Sequence, residues 1–159
     1  MDEGKVSTAN LEKKVAQLRK RLDRNVKSKL RGLAFDGRKR CESLAKSGSS
    51  GLGVDTGALS SSFYARAPGL DDYESKVQDM MEHYLDKYSY EHGAARIAAP
   101  VEVGKHQAAF GSASRVMAFW EYGHQNKFTG NFEKVPILRP VREEMRKVAR
   151  RRFANILSK

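Results

Sequence analysis

The chain has 159 residues, of which 40% are hydrophobic and 31% charged, with a net charge of +11. Such a length suits one domain that folds without disulfide or metal, and its single cysteine, Cys41, excludes an internal disulfide and a thiol-based zinc knuckle. No apolar run approaches the ~20 residues of a membrane span, and Met1-Asp2-Glu3-Gly4 lacks the charged-then-apolar pattern of a signal peptide, so the expectation is a chain made in the cytosol with no membrane partner.

The first predicted element is a long basic helix within residues 1–46. Leu11, Val15, Leu18, Leu22, Val26, Leu30 and Leu33 recur at helical spacing and make one stripe. Lys13, Lys14, Arg19, Lys20, Arg21 and Arg24 lie off it. Ser7 or Thr8 caps the start, with Glu12 near enough for a capping box. Gly32 and Gly37 are expected interruptions, after which Cys41, Leu44 and Ala45 resume the pattern. Residues 47–53, Ser-Gly-Ser-Ser-Gly-Leu-Gly, read as a flexible loop. Residues 54–138 are expected to hold a small antiparallel sheet. Its first strand falls in the second half of 54–67 and ends at Pro68-Gly69, and short strands follow at 97–99, 101–103 and 108–110. A helix is inserted at 71–92, capped by Asp71 and striped with Tyr73, Val77, Met80, Met81, Tyr84, Leu85 and Tyr88. The stretch Val116–Gly123 is the most apolar and aromatic of the chain. An amphipathic helix closes the chain over 139–158, with Pro140 in its first turn and Arg150, Arg151 and Arg152 late, where cations suit the helix dipole. The expected class is α+β: a small antiparallel β-sheet flanked by helices.

Charge is unevenly placed. Residues 1–46 hold 14 Lys/Arg against 6 Asp/Glu, residues 134–159 hold 9 against 2, and residues 47–133 hold 7 against 11. Two basic ends around an acidic middle suit nucleic acid and an acidic protein neighbour equally. Arg19, Lys20, Arg21, Arg24, Arg150, Arg151 and Arg152 are the candidate contacts to phosphates or to such a partner.

Chemistry-bearing patterns are weak. Gly51-x-Gly53-x-x-x-Gly57 has the wrong spacing and context for a dinucleotide loop. His83, His92, His106 and His124 never fall at metal-binding spacing. Ser60-Ser61-Ser62 is no nucleophile elbow; the basic run around Cys41 would lower a thiol pKa, but a lone helical cysteine is more often a packing residue. The expectation is therefore no catalytic residue, no cofactor and no metal. Glu121 stands out differently: a glutamate among Phe119, Trp120 and Tyr122, before Gly123, needs donors if buried. Backbone N–H groups of the Asp55-Thr56-Gly57 turn, or an arginine such as Arg139, are candidates for a structural staple.

Three segments, taken together, resemble a known family. Val54-Asp55-Thr56-Gly57-Ala58-Leu59-x-x-Ser62 resembles the D-T-G-x-L-x-x-S signature of phage tail-completion and head–tail connector proteins of the minor tail protein Z type. Met117-Ala118-Phe119-Trp120-Glu121-Tyr122-Gly123 is similar to that family's Y-A-x-x-x-E-x-G-T segment, with Met117 for tyrosine and His124 for threonine. Pro136-Ile137-Leu138-Arg139-Pro140 is similar to its P-F-L-R-P-A lead-in to the last helix. Ser60 and Ser61 replace the family's more frequent basic residues, and the helix at 71–92 looks like an insertion. The resemblance implies a structural protein of the virion neck or head-proximal tail, assembled in the host cytoplasm as a homo-oligomeric, usually hexameric, ring. Its partners would be head-completion or connector proteins and tail-tube or tail-terminator proteins, with transient contact to the phage genome. The interface and motif residues it implies are Asp55, Thr56, Gly57, Leu59, Ser62, Trp120, Glu121, Gly123, Pro136, Arg139 and Pro140. The alternative is a DNA-binding module that lays its Lys/Arg-rich helices on phosphates.

Overall fold

A computed structural model of the chain describes residues 8–46, 57–85, 90–154 and 156. The expected loop at 47–53 and the segment 54–56 lie outside the described residues.

The long stripe forms α1, Thr8–Lys46, one unbroken helix of 39 residues. The interruptions expected at Gly32 and Gly37 do not occur. A Cβ on Gly37 would stand 2.3 Å from Cδ1 of Phe110. The bare backbone therefore lets the Phe110 ring lie against the helix, and that packing outweighs the ~1 kcal/mol a helical glycine costs. Only the later part of α1 is buried, through Leu33, Ala34, Gly37, Cys41 and Ala45.

After the one-turn helix α2, Ala58–Ser61, comes β1, Phe63–Ala67, the centre of a three-stranded antiparallel sheet. Strand β2, Leu70–Asp71, pairs Arg66 with Asp71 across the Pro68-Gly69 turn, where Gly69 has φ 77°. On the other side β3, Ala109–Ser112, pairs Phe63 with Ser112 and Arg66 with Ala109. Side chains alternate across a strand, so β1 serves two layers. Ala65 and Ala67 meet Leu30 and Ala34 of α1, and Phe63 joins Cys41 and Ala45. Tyr64 points to the opposite layer, built from Tyr73, Met80, Met81 and Tyr84 of α3, Tyr73–Leu85.

The helix expected over 71–92 is α3 followed by α4, Tyr90–Ala94, with residues 86–89 outside the described set. Asp71 does serve its start, since Oδ1 accepts the Tyr73 N–H at 3.2 Å. The strands expected at 97–99 and 101–103 do not form; Ile97 makes one isolated bridge to Ser114. Two tyrosines take over the bonds a ladder would make. Tyr73 Oη donates to the Ala98 carbonyl at 2.7 Å, and Tyr64 Oη accepts the Val101 N–H at 2.9 Å. Residues 116–122, inside the expected sheet region, are instead helix α5, Val116–Tyr122, because a short apolar run does not by itself distinguish strand from helix.

Strands β4, His124–Gln125, and β5, Phe132–Glu133, make a small hairpin. Helix α6, Leu138–Ala154, closes the fold and packs antiparallel on α1: Val141 and Cys41 share a cluster, Arg40 Nε meets Glu144 at 3.3 Å, and Arg152 meets Asp36. Among the described residues no helix is long and apolar enough to cross a membrane.

Candidate functional site

The three motif segments converge on one cluster. Cys41 and Ala45 of α1, Phe63 of β1, Met117 of α5, and Ile137 with Val141 at the start of α6 are its buried members. Leu59, Trp120 and Leu138 pack against it. Each segment thus contributes apolar side chains to a shared core.

Glu121 ties the second segment to the third. It is 7% exposed, and its carboxylate accepts the backbone N–H groups of Ile137 at 3.0 Å, Leu138 at 3.0 Å and Arg139 at 2.8 Å. These donors stand at the start of α6, where no intrahelical acceptor exists and the dipole favours negative charge. The staple expected from sequence is present with a different partner. It is the Arg139 backbone that bonds, and the side chain is exposed. The 137–139 donors engage both carboxylate oxygens; of the expected Asp55-Thr56-Gly57 turn, Asp55 and Thr56 lie outside the described residues. Pro136 leads into these donors half-buried, and exposed Pro140 sits within the first turn of α6.

Ser62, fully buried, ties the first segment to the sheet. Its Oγ donates to the Leu59 carbonyl at 2.8 Å and lies 2.6 Å from Ser112 Oγ, which itself accepts the Ser114 N–H at 3.1 Å. With the Ser62 proton committed to Leu59, Ser112 donates to Ser62, so both hydroxyls are satisfied. Gly57 has φ 71°, a conformation side chains rarely adopt, and its carbonyl accepts Ser61 N–H at 3.0 Å and Ser60 Oγ–H at 2.9 Å. Trp120 meets His124 edge to face with centroids 4.9 Å apart, and its carbonyl accepts the Val135 N–H at 3.0 Å. Gly123 closes α5 by donating to the Phe119 carbonyl at 2.8 Å.

Sequence reasoning missed Ser112, whose role nothing in its neighbourhood marks. It also missed the Arg38–Asp72 pair at 2.5 Å, in which Asp72 additionally accepts the Ala65 N–H at 2.6 Å. The role of Gly37 was signalled only by a glycine inside a helical stripe.

Cys41 takes the packing role usual for a lone helical cysteine, and the basic run does not lower its pKa. Burial, then the nearby charges of Glu121 and Glu42, push its pKa up to about 12. The basic run around it faces elsewhere, so the thiol is a packing group.

The basic candidates separate. Arg19, Lys20, Arg21 and Arg24 are exposed on α1, and Arg150 and Arg151 on α6. Arg152 differs from them: its guanidinium pairs with Asp36 at 2.5 Å and its carbonyl accepts a bond from Lys29 Nζ. Ile156 lies with Val15, Leu18 and Leu22 around one groove, so the antiparallel helices bring the two basic ends of the chain together. Four aromatics, Phe119, Tyr122, Phe128 and Phe132, are exposed on and beside the β4–β5 hairpin. Among the described residues no three His, Cys, Asp or Glu side chains group as metal ligands would.

Compared with protein-family models, with curated proteins and with solved structures, the chain has no match.

Proposed function

We propose that the chain is a structural subunit of a tailed bacteriophage, a ring-forming head–tail joining or tail-completion protein. The observation that carries this reading is the convergence of its three motif segments on one core, with Glu121 locking α5 to α6. Residues that look like a site in sequence serve to hold a rigid body together. The surface supports the reading as well: exposed Leu11, Val15 and Leu18 at one place and exposed Phe119, Tyr122, Phe128 and Phe132 at another are the apolar outcrops of a protein that docks to neighbours.

Tagged protein in purified particles tests the proposal. Labelling at the head–tail junction, and separate heads and tails when the gene is deleted, are the expected results. Complete, infectious particles without the chain would overturn it.

A second reading rests on the cations that α1 and α6 bring together, a face suited to duplex phosphates. It predicts DNA binding by the isolated chain that weakens steeply with salt. Absence of such binding at low salt removes it.

A further inference from the structure

We propose that the N-terminal third of α1 docks across the α3–α4 face of a second copy of the chain, head to tail. The idea deepens the ring-subunit reading and rests on it.

The first patch is an arm that the described residues leave largely uncovered. Every residue from Thr8 to Lys20 is exposed. Leu11, Val15 and Leu18 follow one another at spacings of four and three, which puts them on one helix face, and Leu18 is 64% exposed. Val15, Leu18, Leu22 and Ile156 line a groove of about 400 Å³ beside Arg19 and Arg21.

Charge decides what fits there. Residues 8–24 carry 6 Lys/Arg against 2 Asp/Glu. Two such arms packed together would place like charges side by side, so the arm calls for an acidic, partly apolar surface. The hairpin outcrop around Phe128 and Phe132 is apolar, but Lys127 and Lys134 give it the arm's own sign.

The α3–α4 face has the required chemistry. The two helices themselves carry Glu74, Asp79, Glu82 and Glu91 against Lys76, with Arg96 stacked on Tyr84 just beyond α4. Glu74, Gln78, Glu82 and Leu85 recur at helical spacing and are all exposed, Leu85 at 52%, with Tyr90 beyond them at 66%. Glu74, Glu82 and Glu91 have no ion-pair partner among the described residues, and neither do Lys13, Lys14, Arg19, Lys20 and Arg24.

The arm cannot reach this face in its own chain. Arg38 pairs with Asp72, the residue before α3, and α3 then runs towards Gly57, beside His83. Gly57 leads α2, whose Leu59 packs with Cys41 and Ala45 near the far end of α1. Leu18 precedes Arg38 by 20 residues, roughly 30 Å of helix in the opposite direction. A contact between two different patches on identical subunits is heterologous, and it closes into a ring or grows into a filament.

Light scattering on the purified chain at high concentration and low salt tests this, alongside circular dichroism to confirm folding. Arg19→Glu with Lys20→Glu, and separately Glu74→Lys with Glu82→Lys, are each expected to weaken self-association at least tenfold. Combining all four substitutions in one chain restores it. Leu18→Cys with Gln78→Cys gives a ladder of oxidised oligomers, since buried Cys41 does not compete. Association that ignores the Glu74 and Glu82 reversal, dimers from Leu18→Cys alone, or a parent chain that stays monomeric and gives no ladder would each overturn the docking. None of those results decides the ring-subunit reading, which stands or falls on the position of the chain in particles.

Discussion

Taking a carboxylate out of water costs free energy that only well-placed donors return. At Glu121 three backbone N–H groups do so, and they in turn lose their acceptor if the side chain is cut. Glu121→Ala therefore leaves buried donors unpaired and is expected to destabilise the fold by about 3 kcal/mol, a fall in Tm of roughly 6–12 °C for a chain of this size. Glu121→Gln keeps one carbonyl acceptor and loses the charge at the head of α6, so about half that loss is expected. Thermal melts of the two variants check the ordering; equal losses would mean that side-chain volume, and not the donors, is what matters. Cys41 makes a second residue-scale test. Its thiol is held up to about 12 by burial, while an unfolded thiol titrates at about 8.5. Native protein at pH 8 is expected to leave a thiol reagent unreacted until denaturant is added. The sign of the linkage follows: as pH rises through the unfolded value, only the unfolded chain gives up this proton, so stability falls with alkalinity. A Cys41→Ser variant is expected to lack that part of the decline, measured as unfolding midpoint against pH.

At the scale of elements, Gly37 turns the usual propensity argument around. An alanine in mid-helix normally gains up to ~1 kcal/mol over glycine. Here the added Cβ meets the Phe110 ring at 2.3 Å, and overpacking of that kind costs about 1–3 kcal/mol. Gly37→Ala is expected to lower stability, and pairing it with Phe110→Leu to recover part of the loss; a stabilised single variant in denaturant melts would show that the ring moves freely. The same contact marks where the sequence stops being legible. The stripes of α1, α3 and α6 are readable because a helical face repeats many times, and the α+β class follows from them. The strands at 97–103 are misread because the tyrosine hydroxyls that replace their ladder sit over 20 residues away in the chain. Helix α5 hides in a seven-residue apolar run too short to show a period. Glu121 was legible as a buried carboxylate needing donors, but its partners were not, since which helix start would meet it is a matter of tertiary packing.

For the whole molecule, the sequence shows two basic ends and an acidic middle, and the fold sets the basic ends side by side. The antiparallel set of α6 on α1 joins the basic ends; an apolar stripe tells which face of a helix is buried but not against which partner, so that joining was not readable. It also divides α1 unequally. The 33–45 stretch sends Leu33, Ala34, Gly37, Cys41 and Ala45 into the core, while every residue of 8–20 is exposed. A protein of this size has a global stability on the order of 10 kcal/mol, and only amides whose exposure requires global unfolding inherit it. The arm needs only to fray from the start of α1, since its turns give up their hydrogen bonds while disturbing little packing among the described residues. Hydrogen exchange on the monomeric chain is thus expected to be at least a thousandfold faster for amides in 12–20 than for those in 37–45, within a single helix. Uniform protection along α1 would mean that the arm is covered in the free chain, and that its exposed leucines and valine are not a surface awaiting a neighbour.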